Sequence, residues 1–213
     1  MIEKDFVNID NFLSEGIVKW SSPSNIALVK YWGKKNNQIP QNPSISFTLS
    51  KSLTTTSIEF KPKKNKANSI DFKFDGIKDH EFGQKIKLFI KSIEKYFNFL
   101  KNHDINIKSE NNFPHSSGIA SSASSMSALA SCLVDIEKIN TNEKDNSYYI
   151  KKKSFIARLG SGSASRSIEG PITLWGESKS FPGSSDLYAI NISQDVNQIF
   201  QDYQNSILII DPG

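Results

Sequence analysis

The stretch from Gly118 to Val134 carries no charge and consists almost entirely of Ala, Ser, Met, Leu and Cys. A helix without a charged face is normally buried on all sides. Its small side chains also let neighbouring backbones approach closely. The sequence therefore predicts a helix at the centre of a domain, with the other elements packed around it. Cys132 lies in this helix, where we expect it to serve packing.

Hydrophobic periodicity predicts the remaining elements, since alternation marks strands and three- or four-residue spacing marks helices. Strands are predicted at 17–20, 44–49, 54–60, 70–74, 105–109, 171–175 and 207–210, and helices at 84–103, 118–134, 148–159 and 195–203. A polar turn is expected between the second and third strands, and a charged hairpin tip at 61–68. Strands come first in runs and helices follow, which favours an α+β fold over alternating βαβ units.

The end of the chain predicts a second domain. An apolar strand at 206–210 and a turn at 211–213 have no successor within this sequence. We therefore expect one domain over 1–190 and the beginning of a truncated C-terminal α+β domain over 191–213.

Composition excludes several classes of protein. The 213 residues include one cysteine, which excludes an internal disulfide framework and favours a reducing compartment. No apolar run approaches the roughly 20 residues that a membrane helix needs, and the N-terminus lacks the pattern of a signal peptide. The net charge is +4, yet the lysines are not interleaved with stacking aromatic residues as nucleic-acid binding would require. We expect a cytoplasmic protein without membrane or nucleic-acid partners.

Two segments rich in Gly and Ser, 114–123 and 160–166, are typical of loops that wrap phosphates. Small residues let the backbone approach an anion, and a helix beginning in the first segment would direct free N–H groups at it. Simpler explanations exist for both: serines that cap a core helix, and a flexible linker. The linker is less favoured because a helix precedes the second segment, an apolar strand follows it and Arg166 lies inside it.

Cations are concentrated beside these segments. Lys30–Lys34 places two lysines and two aromatic rings within one short stretch, although an amphipathic strand end with Trp32 buried is an alternative. The only two arginines, Arg158 and Arg166, flank the second Gly/Ser segment. A guanidinium fork matches a carboxylate or phosphate in a way that lysine does not. The three segments together predict a pocket for more than one phosphorylated molecule.

The histidines have no partners at metal-ligand spacing. We expect His115 to be a loop residue, and His80 and His103 to lie isolated on the surface. No Ser-His-Asp arrangement emerges from the sequence.

The three segments together resemble the diphosphomevalonate decarboxylase family, within the superfamily of galactokinase, homoserine kinase, mevalonate kinase and phosphomevalonate kinase. The opening motif is present as 22–34 with 42–46, the nucleotide loop as 111–124 and the substrate loop as 157–167. Three motifs in the right order are far more specific than one. The kinase relatives carry a Gly-Glu-His-type segment where this chain has Tyr31–Lys34, which favours the decarboxylase branch.

The resemblance implies the superfamily's N-terminal domain, which is ribosomal protein S5 domain 2-like, and a homodimer for the full-length protein. It implies ATP and Mg²⁺ as cofactors, and conversion of (R)-5-diphosphomevalonate to isopentenyl diphosphate, ADP, phosphate and CO₂ in the mevalonate pathway of isoprenoid biosynthesis. In this family the tertiary hydroxyl is phosphorylated, the phosphate leaves with carbocation character, and the carboxylate is lost.

Site residues follow from the same resemblance. The catalytic residues would be Arg166, which holds the carboxylate, Asn25, which orients the substrate or supports Arg166, and Ser122. The substrate-binding residues would be Lys30, Tyr31, Trp32, Gly33, Lys34, Ser161, Gly162, Ser163, Ala164 and Ser165. The ATP-binding residues would be Ser116, Ser117, Gly118, Ala120, Ser121 and Ser122, with Ser122 also a ligand of Mg²⁺.

The sequence departs from the family in three places. His115–Ser117 replaces the usual Thr and small residues, and Pro171 stands where a second glycine is common. The family's catalytic aspartate lies in an Asp-x-Gly-Pro-Asn-like motif of the C-terminal domain, and this sequence contains no such motif. We therefore expect an N-terminal piece of a longer enzyme, with little activity alone. A phosphomevalonate decarboxylase, a related small-molecule kinase and an RNA-binding domain stay open as alternatives.

Overall fold

The computed structural model describes residues 1–63, 70–78, 80–114, 118–141 and 144–208, in which one mixed sheet packs against helices. The strands are β1 (Gly16–Val29), β2 (Ser44–Pro62), β3 (Ile70–Phe74), β4 (His103–Asn111), β5 (Ile172–Trp175) and β6 (Ala189–Asn191), and the helices are α1 (His80–Ile93), α2 (Ser121–Thr141) and α3 (Asn146–Gly160). The predicted α+β class is confirmed. Most of the hairpin tip predicted at 61–68 lies outside the described residues.

Strand β2 is the axis of the sheet. β1 runs antiparallel along one side of it, and β4 and β5 pair with its C-terminal and N-terminal halves on the other side. β3 pairs with β4 and β6 with β5, so that β1, β3 and β6 are the edge strands among the described residues. The prediction of two strands joined by a turn is wrong here. Pro23 pairs with Leu53 and Ser24 pairs with Leu49, so residues 50–52 form a bulge while both strands continue past it.

Helix α2 lies at the centre of the domain, as predicted, but it begins at Ser121 instead of Gly118 and continues to Thr141 instead of Val134. It packs on the sheet face that includes Thr54 and Thr56: Ser124 Oγ lies 2.6 Å from Thr54 Oγ1, and the Cys132 thiol donates to the carbonyl oxygen of Thr56 at 3.3 Å. Burial raises the pKa of Cys132 to about 12, which keeps the thiol protonated. None of the helices in the described residues has the length and apolar character needed to cross a bilayer.

Helix α1 ends earlier than its periodicity predicts. It stops at Ile93, and two short 3₁₀ helices at 94–96 and 98–101 lead into β4. The backbone N–H of Asn98 donates to Asn8 O at 3.3 Å, and its side-chain amide donates to Ile9 O at 3.0 Å. These contacts with the N-terminal segment are non-local, so no helical pattern could reveal them.

The C-terminal predictions are corrected in two respects. Residues 195–203 contain only short 3₁₀ helices, Ser193–Asp195 and Gln198–Phe200, instead of an α-helix. Ile207 and Leu208 belong to no strand, and residues 209–213 lie outside the described part of the chain. The domain boundary between 190 and 191 stays a prediction.

His103 is buried, which corrects its predicted surface position. Its side chain is 1% exposed, and its ring nitrogens lie 3.0 Å from Phe99 O and from Ser14 O. Alternation along β4 explains the burial, because His103 lies on the same face as the buried Ile105 and Ile107. The side chain of His80 lies outside the described residues.

Candidate functional site

Two of the predicted segments, 114–123 and 160–166, contact the middle of β1 beside its register shift. Ser24 Oγ donates to the carbonyl oxygen of Ile119, in the loop before α2. The adjacent Asn25 amide donates to Ser163 O at 3.0 Å and to Ser167 Oγ at 2.7 Å. The first contact ties the predicted nucleotide loop to β1, and the second ties the predicted substrate segment to the same point. Both segments are therefore held next to one another.

Arg166 is buried at this junction, with 2% of its surface exposed. One terminal nitrogen donates to Ser44 Oγ at 2.8 Å, and the other makes a long contact of 3.5 Å with Asn25 Oδ1. The guanidinium carbon lies 5.4 Å from the ring centre of Tyr31 and 5.6 Å from that of Trp175. Two aromatic rings and two neutral oxygens thus surround a full positive charge.

The charge of Arg166 has no counter-ion in the described part of the chain. It takes part in none of the ion pairs there, and its buried Nε has no hydrogen-bond partner among those residues. Burial lowers the pKa of Arg166 to about 10, and the nearby Tyr31 hydroxyl opposes that shift. The guanidinium is still charged at neutral pH. A buried cation with a free donor is an energetically unfavourable arrangement that an anionic ligand would relieve.

The segment Lys30–Lys34 leads away from β1 over Arg166. Tyr31 contacts Trp175 edge-on at a ring separation of 5.1 Å, and Lys34 Nζ lies 5.6 Å from the Tyr31 ring. Lys34 and Arg166 therefore approach the same ring. The alternative with Trp32 buried is excluded, because Trp32 is 82% exposed.

Asn42 fixes the backbone conformation of this segment. Its side chain accepts a hydrogen bond from the backbone N–H of Trp32 at 2.9 Å and donates to Lys30 O at 3.1 Å. Gly33 contributes its carbonyl oxygen, which accepts from Gln41 N at 3.0 Å. Backbone hydrogen bonds thus fix the segment and leave the lysine side chains exposed.

The predicted substrate loop is a 3₁₀ helix, Gly162–Ser167, directly after α3. The hydroxyls of Ser161 and Ser163 lie 3.4 Å apart in partly exposed residues. Ser165 and Ala164 are buried, and the Ser165 hydroxyl donates to Gly162 O at 2.8 Å. Only Ser161 and Ser163 therefore present side-chain hydroxyls toward solvent. A flexible linker is excluded by this order and burial.

Gly162 is required by the close approach of Trp175. A Cβ at Gly162 would lie 2.9 Å from Cη2 of Trp175, which is fully buried and cannot move away. We expect Gly162→Ala to lower the free energy of unfolding by about 1–3 kcal/mol, measured by urea denaturation. Gly83→Ala in α1 is the matched control, since its Cβ would meet nothing closer than 4.0 Å, and we expect it to raise stability by about 0.5–1 kcal/mol. Equal stability of Gly162→Ala and the unchanged chain would contradict this packing.

The first turn of α2 faces solvent. Gly118 and Ala120 adopt left-handed backbone conformations, with φ of 78° and 53°, on either side of the buried Ile119. Ser121 is partly exposed and Ser122 is exposed. The leading N–H groups of a helix lack intrahelical acceptors and attract anions. The other predicted nucleotide residues, Ser116 and Ser117, lie outside the described residues, as does His115.

A basic groove lies on the opposite face of the sheet from α2, at the end of β4. Its volume is about 370 Å³, and it is lined by Lys19, Thr55, Ser57, Lys73, Gly76, Lys108, Ser109 and Glu110. Lys108, Ser109 and Glu110 of this groove lie near the C-terminal end of β4.

The donor set fits a phosphate-held Mg²⁺. No group of three His, Cys, Asp or Glu side chains that could hold a metal ion exists in the described residues. Mg²⁺ often keeps several waters and is bound through substrate phosphates with few protein ligands. The exposed Ser122 hydroxyl at the start of α2 suits such a site.

Several residues of this arrangement were not predicted. Ser44 accepts from Arg166, Trp175 lies against it, and Ser127 in α2 lies 3.1 Å from Ser22 Oγ while donating to Ser167 O at 2.9 Å. A tryptophan at the end of a short apolar strand was the only signal for Trp175. The buried serines could not be recognised from the sequence, because no pattern distinguishes a serine that supports a site from one that faces water.

Comparison with known proteins places most of this chain in one family. The model of the diphosphomevalonate decarboxylase-like N-terminal domain matches residues 22–189. A diphosphomevalonate decarboxylase of Ganoderma lucidum is 35% identical over 188 residues, which cover 81% of this chain and 44% of that protein. The chain spans about half the length of the curated relatives it matches.

Solved structures agree with this assignment. Mevalonate diphosphate decarboxylase from Staphylococcus aureus superposes with a TM-score of 0.65 at 33% identity, covering 84% of this chain and 50% of that one. A structure described as MDDEF in complex with MVAPP, AMPPCP and magnesium has a TM-score of 0.64 at 32% identity, covering 84% of this chain and 51% of that one. These likenesses extend to the fold and to the sequence.

Proposed function

The chain belongs to the diphosphomevalonate decarboxylase-like N-terminal domain family, and from that premise we propose that it binds diphosphomevalonate and Mg²⁺-ATP. The complete protein would convert diphosphomevalonate and ATP to isopentenyl diphosphate, ADP, phosphate and CO₂. The chain would provide the substrate and nucleotide sites. The catalytic aspartate would come from a part of the protein that this chain does not contain.

One observation carries the proposal: Arg166 is buried, charged and without a counter-ion in the described residues, and its Nε has a free donor. A carboxylate is the planar partner that a guanidinium binds through two parallel hydrogen bonds. Arg166 would hold the substrate carboxylate in one orientation, with the support of Asn25. Loss of CO₂ is then favoured as positive charge develops on the carbon that bore the phosphate.

The substrate diphosphate would lie between Ser161, Ser163 and the exposed Lys34. Tyr31 contacts both Lys34 and Arg166, which follows Ser161 and Ser163 in the same 160–166 segment. A carboxylate and a diphosphate on one small molecule need cations at a fixed separation, and this arrangement provides them. Lys30 adds a further exposed positive charge in the same segment.

The nucleotide phosphates would bind at the start of α2, where Gly118, Ala120, Ser121 and Ser122 form an exposed corner. Bound Mg²⁺ would neutralise phosphate charge during transfer of the γ-phosphate, and Ser122 would be its ligand from the protein. We further propose a cytoplasmic location, and a homodimer for the complete protein.

The test measures CO₂ and ADP released by the complete protein from ATP and diphosphomevalonate, together with calorimetric binding of both ligands by the 213-residue chain. We expect stoichiometric CO₂ and ADP, and binding of both ligands by the chain alone. ADP without CO₂ would identify a kinase instead. Preference for the monophosphate substrate would identify a phosphomevalonate decarboxylase, and RNA binding without nucleotide binding would overturn the enzyme assignment.

A further inference from the structure

We infer that Trp175 is a positioning residue that holds Arg166 and Tyr31 in the orientation needed to bind a ligand carboxylate. The inference deepens the proposed function and rests on it for the identity of the ligand. Trp175 would not touch the substrate, because its side chain is fully buried. It would act through the two side chains that lie against its ring.

Trp175 connects all the parts of the substrate site. Its ring lies 5.6 Å from the guanidinium carbon of Arg166 and 5.1 Å from the Tyr31 ring, and Gly162 packs against its outer edge. Its indole N–H donates to Asp186 O at 2.9 Å, which fixes the plane of the ring. One rigid side chain thus contacts Arg166, the Tyr31 ring and Gly162 at the start of the serine segment.

The surroundings of Trp175 differ from those of an ordinary core residue. It is the largest of the fully buried side chains, yet it belongs to neither of the two hydrophobic clusters formed by the described residues. A buried aromatic face beside a cation interacts with it more strongly than an exposed one does. Because Arg166 has one short hydrogen bond and one long one, the two rings contribute much of what fixes its orientation.

A first experiment examines Arg166 directly by NMR of the arginine Nε–H groups. The chain has only two arginines, so each signal can be assigned by one substitution. We expect Trp175→Leu to shift the Arg166 signal, because the ring current and the fixed orientation are both lost. The Arg158 signal should shift less, since the aromatic ring over which Arg158 lies, at 5.2 Å, is that of Phe155. This measurement needs no substrate.

A second experiment separates positioning from general loosening of the fold by comparing two ligands calorimetrically. Diphosphomevalonate carries a carboxylate and a diphosphate, whereas isopentenyl diphosphate carries only the diphosphate. We expect Trp175→Leu to weaken binding of diphosphomevalonate about tenfold and binding of isopentenyl diphosphate by less than about twofold. Trp175→Phe, which keeps an aromatic face, should recover most of the loss. Trp20→Phe is the control, because Trp20 lies 3.6 Å from Lys153 and away from Arg166.

The two arms distinguish the possible failures. If Trp175→Leu weakened the binding of both ligands equally, or left the Arg166 signal unchanged, the positioning role would be overturned while the proposed function stayed intact. If the unchanged chain bound neither ligand, the proposed function would fail for this chain, and the NMR arm would still decide whether Trp175 orients Arg166. Should Trp175→Leu not fold, the same shifts and affinity ratios are measured on Trp175→Phe, with a smaller change of the same sign expected.

Discussion

Arg166→Met should weaken binding of diphosphomevalonate at least about 100-fold without destabilising the fold. Removing one partner of a buried charged contact with a ligand typically costs about 2–5 kcal/mol of binding free energy, and each 1.4 kcal/mol is about tenfold. The free energy of unfolding should stay the same or rise by about 1–2 kcal/mol, because a buried cation without a counter-ion is replaced by an apolar side chain. Calorimetry and urea denaturation measure the two quantities.

Arg158→Met is the matched control for this prediction. Arg158 is equally buried, but its guanidinium donates to two backbone carbonyls, Leu187 O at 2.8 Å and Asn37 O. Losing these donors leaves buried acceptors unpaired, so this variant should be destabilised by about 1–3 kcal/mol. A binding loss in Arg158→Met as large as in Arg166→Met, or unchanged binding in Arg166→Met, would contradict the role given to Arg166.

Lys152→Met should produce the largest loss of stability among the substitutions considered, about 3–5 kcal/mol. Lys152 in α3 and Glu137 in α2 form an ion pair of 2.5 Å with side chains 0% and 3% exposed, and Lys152 also donates to Tyr96 O at 3.1 Å. Removing the cation leaves a buried carboxylate without its partner. The double variant Lys152→Met with Glu137→Leu should recover most of the loss, because neither charge is then buried. Thermal and urea unfolding measure all three proteins.

The loss in Lys152→Met should also depend on pH. Burial raises the pKa of Glu137 above its unfolded value even in the presence of Lys152. A group with a raised pKa favours the folded state fully below its unfolded pKa, and this contribution disappears as pH rises through the folded pKa. The loss of unfolding free energy in Lys152→Met should therefore be smaller near pH 4 than at pH 8. A pH-independent loss would show that packing, and not the unpaired carboxylate, causes it.

Lys153 provides a comparison for this pair on the same helix. It bonds Asp135 at 2.7 Å, but the Asp135 side chain is 23% exposed. Water compensates the remaining charge better there, so Lys153→Met should lose less stability than Lys152→Met. The reverse order would contradict the importance of burial.

Sequence reasoning predicted the elements whose pattern is local. The uncharged α2, the alternating β4 and the position of α3 were all recognised from their own residues. The errors arise where distant parts of the chain decide the structure. β2 continues through residues 50–52 while β1 pairs with it on both sides of that bulge, and Asn98, beyond the end of α1 at Ile93, bonds the N-terminal segment.

The site was predicted at the level of segments, and the contacts between them were not. Three motifs indicated which stretches bind anions, but only the fold shows that Asn25 joins two of them. The pairing of Arg166 with Ser44 and Trp175 joins residues far apart in sequence, and no spacing rule connects them. The lack of a counter-ion for Arg166 in the described residues is likewise a property of the folded chain.

The most direct measurement is a crystal structure of this chain with diphosphomevalonate. We expect a carboxylate oxygen of the ligand about 3 Å from Arg166 Nε, with the diphosphate between Lys34 and the Ser161 hydroxyl. A carboxylate oxygen bound to Arg166 Nε would show that this buried guanidinium recognises the group that is lost as CO₂. A ligand seated elsewhere, with the nitrogen still unpartnered, would contradict it.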